Sequence, residues 1–219
     1  SELAMLQAIR RLSAEQPIEL VATFLGLHAV PVEFKQHRTE WIRICIDELL
    51  PLIVKSGLAT FCDAFVEQSA FTHDEARMLG ERARELGIPL RLHVDQLTAN
   101  GGAQLASELG AVTADHLEQI TPDGIAALKR SGTIAVLAPT STLFAKARPF
   151  APGRALRDAG VPVALCTNCN PGSSNSESVS LAMGLACVEN GLTPAEAYLG
   201  FTRVGALALR RPELGRITV

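Results

Sequence analysis

The chain has 219 residues, 47% of them apolar, and a net charge of −3. That length supports one sizeable domain with a core, and the apolar content excludes a disordered chain. No basic cluster and no bilayer-length apolar run occurs, so neither nucleic acid nor a membrane is an expected partner.

The expected strands, in chain order, are Glu19–Leu27, Phe61–Val66, Pro89–Leu92, Ala111–Ala114, Thr133–Ala138 and Pro162–Thr167. They are short and rich in Val, Ile, Leu and Ala, as strands buried on both faces are. Helical patterns fill the gaps. Glu40–Ser56 is amphipathic, with Pro51 as a kink point. Thr72 and Glu75 form a capping box ahead of Ala76–Leu86, which Gly87 ends. Thr121-Pro122 opens Asp123–Arg130, and Thr193, Pro194 and Glu196 repeat both signals before Ala195–Arg210. Asn100-Gly101-Gly102 reads as a turn. Six strand–helix units in a row indicate an α/β fold with a parallel sheet.

Polar side chains follow nearly every strand: His28, Glu67, His93, His116, Thr140 with Ser141, and Asn168 with Asn170. A (β/α)8 TIM barrel collects its active site at the carboxyl ends of its strands. The expected architecture is therefore an incomplete barrel over residues 1–219, with about six of eight units present. Two strands would be missing before it and more chain after it, where Gly215-Arg216-Ile217-Thr218-Val219 reads as the start of another strand. Such an open array would expose apolar edges, so self-association is expected, a homodimer being its simplest form. His28, Glu67, His93, His116 and Asn168 are expected to converge on one mouth of the strand array.

His93 at a strand end suits zinc or iron as a neutral imidazole, or else simply hydrogen-bonds the next loop. His116 reads as a second ligand, as the residue orienting a water or carbonyl, or as structural; its neighbours Asp115 and Glu118 read as surface or cap residues. His28 can meet a substrate carboxylate or be a satisfied strand-end residue. Glu67 can be an acid/base or a partner to a histidine, and Asp63, inside a strand, a structural pairing residue. His37 and His73 read as solvated. Thr167 to Ser174 reads either as a capped loop or as a donor-rich cradle for an anionic group. Cys166 and Cys169 form a lone C-x-x-C, either a redox or zinc pair or, with no second pair beside it, two small residues near a strand end. Five scattered cysteines and the lack of a signal-peptide pattern point to the cytoplasm. Phosphate-loop, dinucleotide and serine-elbow motifs are absent.

Several strings, taken together and in order, resemble the imidazolonepropionases of the amidohydrolase superfamily. They include Phe24-Leu25-Gly26-Leu27-His28-Ala29-Val30-Pro31, Leu92-His93-Val94-Asp95-Gln96-Leu97, Thr113-Ala114-Asp115-His116-Leu117-Glu118 and Cys169-Asn170-Pro171-Gly172-Ser173. Ser180-Leu181-Ala182-Met183 and Leu192-Thr193-Pro194-Ala195-Glu196-Ala197 follow. The resemblance implies a cytosolic hydrolase of histidine degradation. It would open 4-imidazolone-5-propanoate to N-formimidoyl-L-glutamate with one zinc or iron ion. It implies His93 as a metal ligand, His116 as a catalytic histidine, and His28, Gln96, Asn170, Gly172 and Ser173 as substrate contacts. The strands would be the third to eighth of the barrel.

Asn168 stands where the family has an aspartate that ligates metal and shuttles a proton. An amide coordinates weakly and is a poor base, so the chain alone is expected to be inactive or nearly so. Ala138-Pro139-Thr140-Ser141 lacks the family's glycine, and Arg203-Val204-Gly205-Ala206 lacks its asparagine. Two other readings stand beside this one: a hydrolase of another cyclic amide or amidine, and a degenerate, non-catalytic homologue or fragment.

Overall fold

The computed structural model describes residues 2–217, in two compact units that meet in sequence between His93 and Val94. Among the described residues six parallel strands alternate with helices, the number of units read from the sequence.

The first unit begins with helix α1 (Glu2–Ser13), whose Leu6 is buried and whose Glu2 carboxylate accepts the Leu25 N–H at 3.2 Å. Strand β1 (Thr23–Leu27) is shorter than expected, because Glu19 and Leu20 are exposed and have no buried face to form. Helix α2 (Arg38–Arg43), a π-helical stretch (Ile44–Leu49) and α3 (Leu50–Ser56) follow without a break. Pro51 lacks the N–H for the carbonyl four residues back, and the turns before it widen instead of kinking. Strand β2 (Phe61–Val66) falls where the sequence put it and pairs in parallel with β1, Thr23 opposite Phe61. Helix α4 (His73–Leu86) carries the complete Thr72–Glu75 capping box, and Gly87 closes it at φ +71°. Strand β3 (Leu90–Val94) is next to β2, to which Pro89 offers its carbonyl for the Cys62 N–H at 3.0 Å. It runs beyond the expected end, so His93 lies inside the strand and not after it. The polar residue had suggested a stop, but the backbone stays extended beneath it.

In the second unit Gly102 is the first residue of helix α5 (Gly102–Leu109), not merely a turn. Gly101 supplies the left-handed entry at φ +83°. The buried Asp95 carboxylate caps the helix, accepting from Gly102 N at 3.0 Å and Ala103 N at 2.9 Å. Strand β4 (Thr113–His116) starts two residues late, because the Ala111 N–H closes α5 on the Ala106 carbonyl. It therefore includes His116. Helix α6 (Pro122–Ser131), strand β5 (Ile134–Leu137), and helices α7 (Pro139–Phe144) and α8 (Gly153–Asp158) lead to strand β6 (Val163–Leu165). β4, β5 and β6 are parallel neighbours, with Thr113 opposite Ile134 and Ala135 opposite Val163. β6 ends early because the Thr167 carbonyl accepts the hydroxyls of Thr140 at 2.6 Å and Ser174 at 2.7 Å, not a ladder N–H. Helix α9 (Val179–Val188) precedes α10 (Pro194–Phe201) and α11 (Arg203–Ala208). The last two had read as one helix. Thr202 separates them at φ −111°, ψ −90°, its hydroxyl bonded back to the Tyr198 carbonyl. Gly215, Arg216 and Ile217 form no strand, and Thr218 and Val219 lie outside the described residues.

A Cβ on Gly102 would stand 2.5 Å from Val94 Cβ. Gly102→Ala is therefore expected to destabilise the chain by about 1–3 kcal/mol, read by denaturant unfolding. Glu196 joins its capping box to a bidentate pair with Arg154, at 2.9 and 3.2 Å. Hydrogen bonds from Arg154 and from the Thr193 backbone hold the Glu196 carboxyl at about 2, below its ordinary 4.5. A depressed carboxyl contributes stability that is full above its unfolded value and lost as pH falls toward its folded one. Melting curves should show Glu196→Gln less stable than the parent at pH 7, with the gap closing between pH 4.5 and about 2.

Candidate functional site

The first unit gathers His28, Asp63 and His93, each from a different strand or its end. β2 reads Phe-Cys-Asp-Ala-Phe-Val, and every residue in it but Phe65 is buried. A carboxylate there must be paired, since a lone buried charge is costly. Asp63 is 2% exposed, and its Oδ2 lies 3.0 Å and its Oδ1 3.1 Å from His93 Nδ1. Its Oδ1 also stands 3.5 Å from His28 Nε2. The two imidazoles meet edge to face, centroids 4.6 Å apart and planes at 81°, and Phe65 packs against both.

Burial alone would raise the Asp63 carboxyl. The His93 charge and hydrogen bonds from His28 and His93 outweigh it and hold the group far below the usual carboxylate range. When His93 is neutral, an ionised Asp63 that accepts its Nδ1–H puts that ring's lone pair on Nε2. One ligand atom from each of the three residues lies within 4.8 Å of the others, so the group can hold a metal ion. His28 Nε2 is buried, with the Asp63 carboxylate 3.5 Å away as its polar neighbour across the group. Two imidazoles and a carboxylate form a donor set of the kind divalent transition metals take. The neighbouring thiols are not part of it: burial pushes Cys45 and Cys62 up to about 12, so both stay protonated.

Glu67 is buried just past β2, and Gln96 is half-buried two residues beyond β3. In the second unit His116 is buried at the end of β4 with φ +81°, and Leu117 follows at +68°. The Leu117 N–H reaches the Val94 carbonyl at 3.2 Å, and the Gln119 N–H that of Asp95 at 2.7 Å, which fixes this loop. Glu118, read from the sequence as a surface or cap residue, is instead 5% exposed, with Oε1 at 3.5 Å from His116 Nδ1. Thr142 donates its hydroxyl to the same oxygen at 2.7 Å.

Asn168 also has a left-handed backbone, φ +48°, and its carbonyl accepts from Asn170 Nδ2 at 2.6 Å. Asn170 Oδ1 accepts the N–H groups of Gly172 at 2.9 Å and Ser173 at 2.8 Å. Ser141 donates to the Ser173 hydroxyl at 3.2 Å. The loop proposed as an anion cradle thus turns two of its backbone donors inward onto its own asparagine. All five cysteines are free thiols, and Cys169 is exposed. His37 is exposed, as expected.

Sequence reasoning found His28 and His93 and read Asp63 as a structural pairing residue, without naming the two histidines as its partners. The signal was a charged residue inside an otherwise apolar strand. Glu118 and Thr142 carried no comparable signal, because only the fold of the loop after β4 and the start of α7 brings them together.

No protein-family model matches the chain. Curated relatives do. An imidazolonepropionase of Myxococcus xanthus is 57% identical over 100% of this chain and 52% of its own length. Those of an Anaeromyxobacter species and Alkaliphilus metalliredigens are 48% and 41% identical over 99% and 100% of this chain, and 52% of each relative. The chain thus spans about half the length of the curated relatives it matches. Among solved structures, a zinc-bound adenosine deaminase from Xanthomonas campestris aligns with a TM-score of 0.74 at 20% identity, over 98% of this chain and 53% of that one. A guanine deaminase from C. acetobutylicum aligns at 0.75 and 14%, over 98% and 57%. No helix among the described residues is long and apolar enough to cross a membrane. The chain is a homologue of imidazolonepropionase along its whole length, matching about half of it, and its six parallel strands alternating with helices share the fold of the matching part of those deaminase structures.

Proposed function

We propose that this chain contributes the metal-holding strands of a hydrolase that opens the ring of 4-imidazolone-5-propanoate to N-formimidoyl-L-glutamate, a step of histidine degradation. The observation that carries the reading is the His28–Asp63–His93 donor group, within a chain 57% identical to an imidazolonepropionase. The ion assigned to that group is zinc or iron, which accept imidazole and carboxylate ligands. When bound, it would lower the pKa of water and polarise the ring carbonyl.

The remaining tasks fall to side chains. Asp63 keeps both imidazoles oriented, and His28 joins the donor set beside the substrate. His116 gives hydrogen-bond support to the carbonyl oxygen as negative charge grows there. Glu67 is the buried carboxylate assigned to proton transfer. Gln96 and the Ser173 hydroxyl are assigned to the substrate's polar groups, and Asn170 and Gly172 to shaping the loop that carries Ser173. Asn168 offers an amide oxygen but cannot take a proton. The proposed partner is this small molecule, with neither nucleic acid nor membrane involved. A homodimer in the cytoplasm is the proposed state.

Metal analysis of the purified chain should find zinc or iron. Asp63→Ala should weaken binding roughly 10–100-fold, the usual cost of losing a group that orients a ligand. Equal metal retention after replacing His28, Asp63 and His93 together by Ala would sink the site. Loss of imidazolone absorbance should be slow or absent with Asn168 in place. Asn168→Asp should raise it by about 10²–10⁴-fold, the worth of a placed general base. Robust turnover by the unaltered chain would overturn the assignment of Asn168. Preference for another cyclic amide or amidine in a substrate panel would replace the proposed substrate.

A further inference from the structure

The residues behind His116 form a second buried arrangement that the proposed reaction does not by itself require. Glu118 is two residues along from His116 and in a continuing strand would share its face but stand roughly 6.6 Å further along. The left-handed backbone at His116 and Leu117 bends the chain, so that the carboxylate comes back beside the ring. Its Oε1 stands 3.5 Å from His116 Nδ1, and both side chains are 4% exposed. Thr142, near the start of α7, pins that oxygen with a 2.7 Å hydrogen bond. Glu118 Oε2 is buried without a hydrogen-bond partner. A buried acid with one anchored and one unanswered oxygen is costly, and natural folds keep such groups where they act on something.

We propose that Glu118 is the positioning residue for His116. It selects the tautomer with the proton on Nδ1, so that Nε2 is the nitrogen that meets substrate. The physical reason is the field of a carboxylate in a site with little water. A proton on Nδ1 faces the oxygen, whereas an Nδ1 lone pair would face it with like charge. Thr142 serves the arrangement indirectly, by fixing which carboxylate oxygen stands beside the ring. The logic is that of a carboxylate behind a catalytic histidine, reached here through a turn after a strand and the first turn of a helix. The inference rests on the reading of His116 as the histidine of the reaction, and adds what sets its chemical state.

The test reads the ring directly and needs no turnover. Nitrogen-15 NMR of the purified chain, with His116 assigned by difference against His116→Asn, reports which ring nitrogen carries the proton. The Nδ1–H form should predominate in the unaltered chain. Glu118→Met keeps the bulk without an acceptor and should shift the majority to Nε2–H. Glu118→Gln keeps an acceptor oxygen and should restore the Nδ1–H form in part. Thr142→Val should lower the Nδ1–H fraction with Glu118 intact, and it keeps the idea testable if Glu118→Met does not fold. An unchanged tautomer in a folded Glu118→Met chain would overturn the proposal, as would a predominant Nε2–H form in the parent. Metal content is measured on the same samples. Loss of the hydrolase reading would show there as absence of zinc and iron, while the tautomer result stood or fell independently.

Discussion

One buried carboxylate organises the first unit. Asp63 lies in the middle of β2, 2% exposed, and lives there as an anion only because two imidazoles face it. The dependence runs both ways. Without Asp63, His93 would lose the carboxylate that accepts its Nδ1 proton. Without the histidines, Asp63 would be an uncompensated charge in an apolar strand. The alternating register of parallel strands allows this, since it projects side chains of neighbouring strands into the same layer. Ladder pairs flank Asp63, with Phe24 opposite Cys62 and Leu27 opposite Ala64, and the register shifts between them.

The second unit solves a related problem with backbone shape. Asp95, His116, Leu117 and Asn168 all adopt positive φ, which costs a non-glycine residue free energy unless the surroundings enforce it. Here they do. The carbonyls of Val94 and Asp95 take the N–H groups of Leu117 and Gln119, and the Asp95 side chain caps α5. Every one of these bends falls just past the carboxyl end of a strand or at its last residue. The bends re-aim polar groups that a straight strand would send elsewhere, and Glu118 beside His116 is their clearest product.

Asn170 illustrates a different use of hydrogen bonds. Its side chain donates to the Asn168 carbonyl and accepts two backbone N–H groups, so it acts as the scaffold of its own loop. That makes the loop rigid at the cost of donors that a bound anion would otherwise find. Asn168 sits at the same bend, and its side-chain amide is neutral and offers no base there.

Much of the architecture was legible in the residues. Apolar runs of the right length gave six strands, β2 at its true bounds, and the caps at Thr72, Thr121 and Thr193 gave three helix starts. Such signals are local: they depend on side-chain period and on hydrogen bonds within one turn. His28 and His93 were legible as ligand-type residues for the same reason. What the sequence could not specify was partnership. Asp63 with His93 is separated by 30 residues and Thr142 with Glu118 by 24. Each pair meets only because strand pairing or a bent loop brings it together. Strand ends were misjudged at His93 and His116, where a polar residue was read as a stop, since a strand ends when its backbone finds other partners. Residue type and spacing thus determined the units and the candidate ligands. The tertiary structure alone decided which acid stands behind which histidine, because burial makes that choice through contacts that no local pattern encodes.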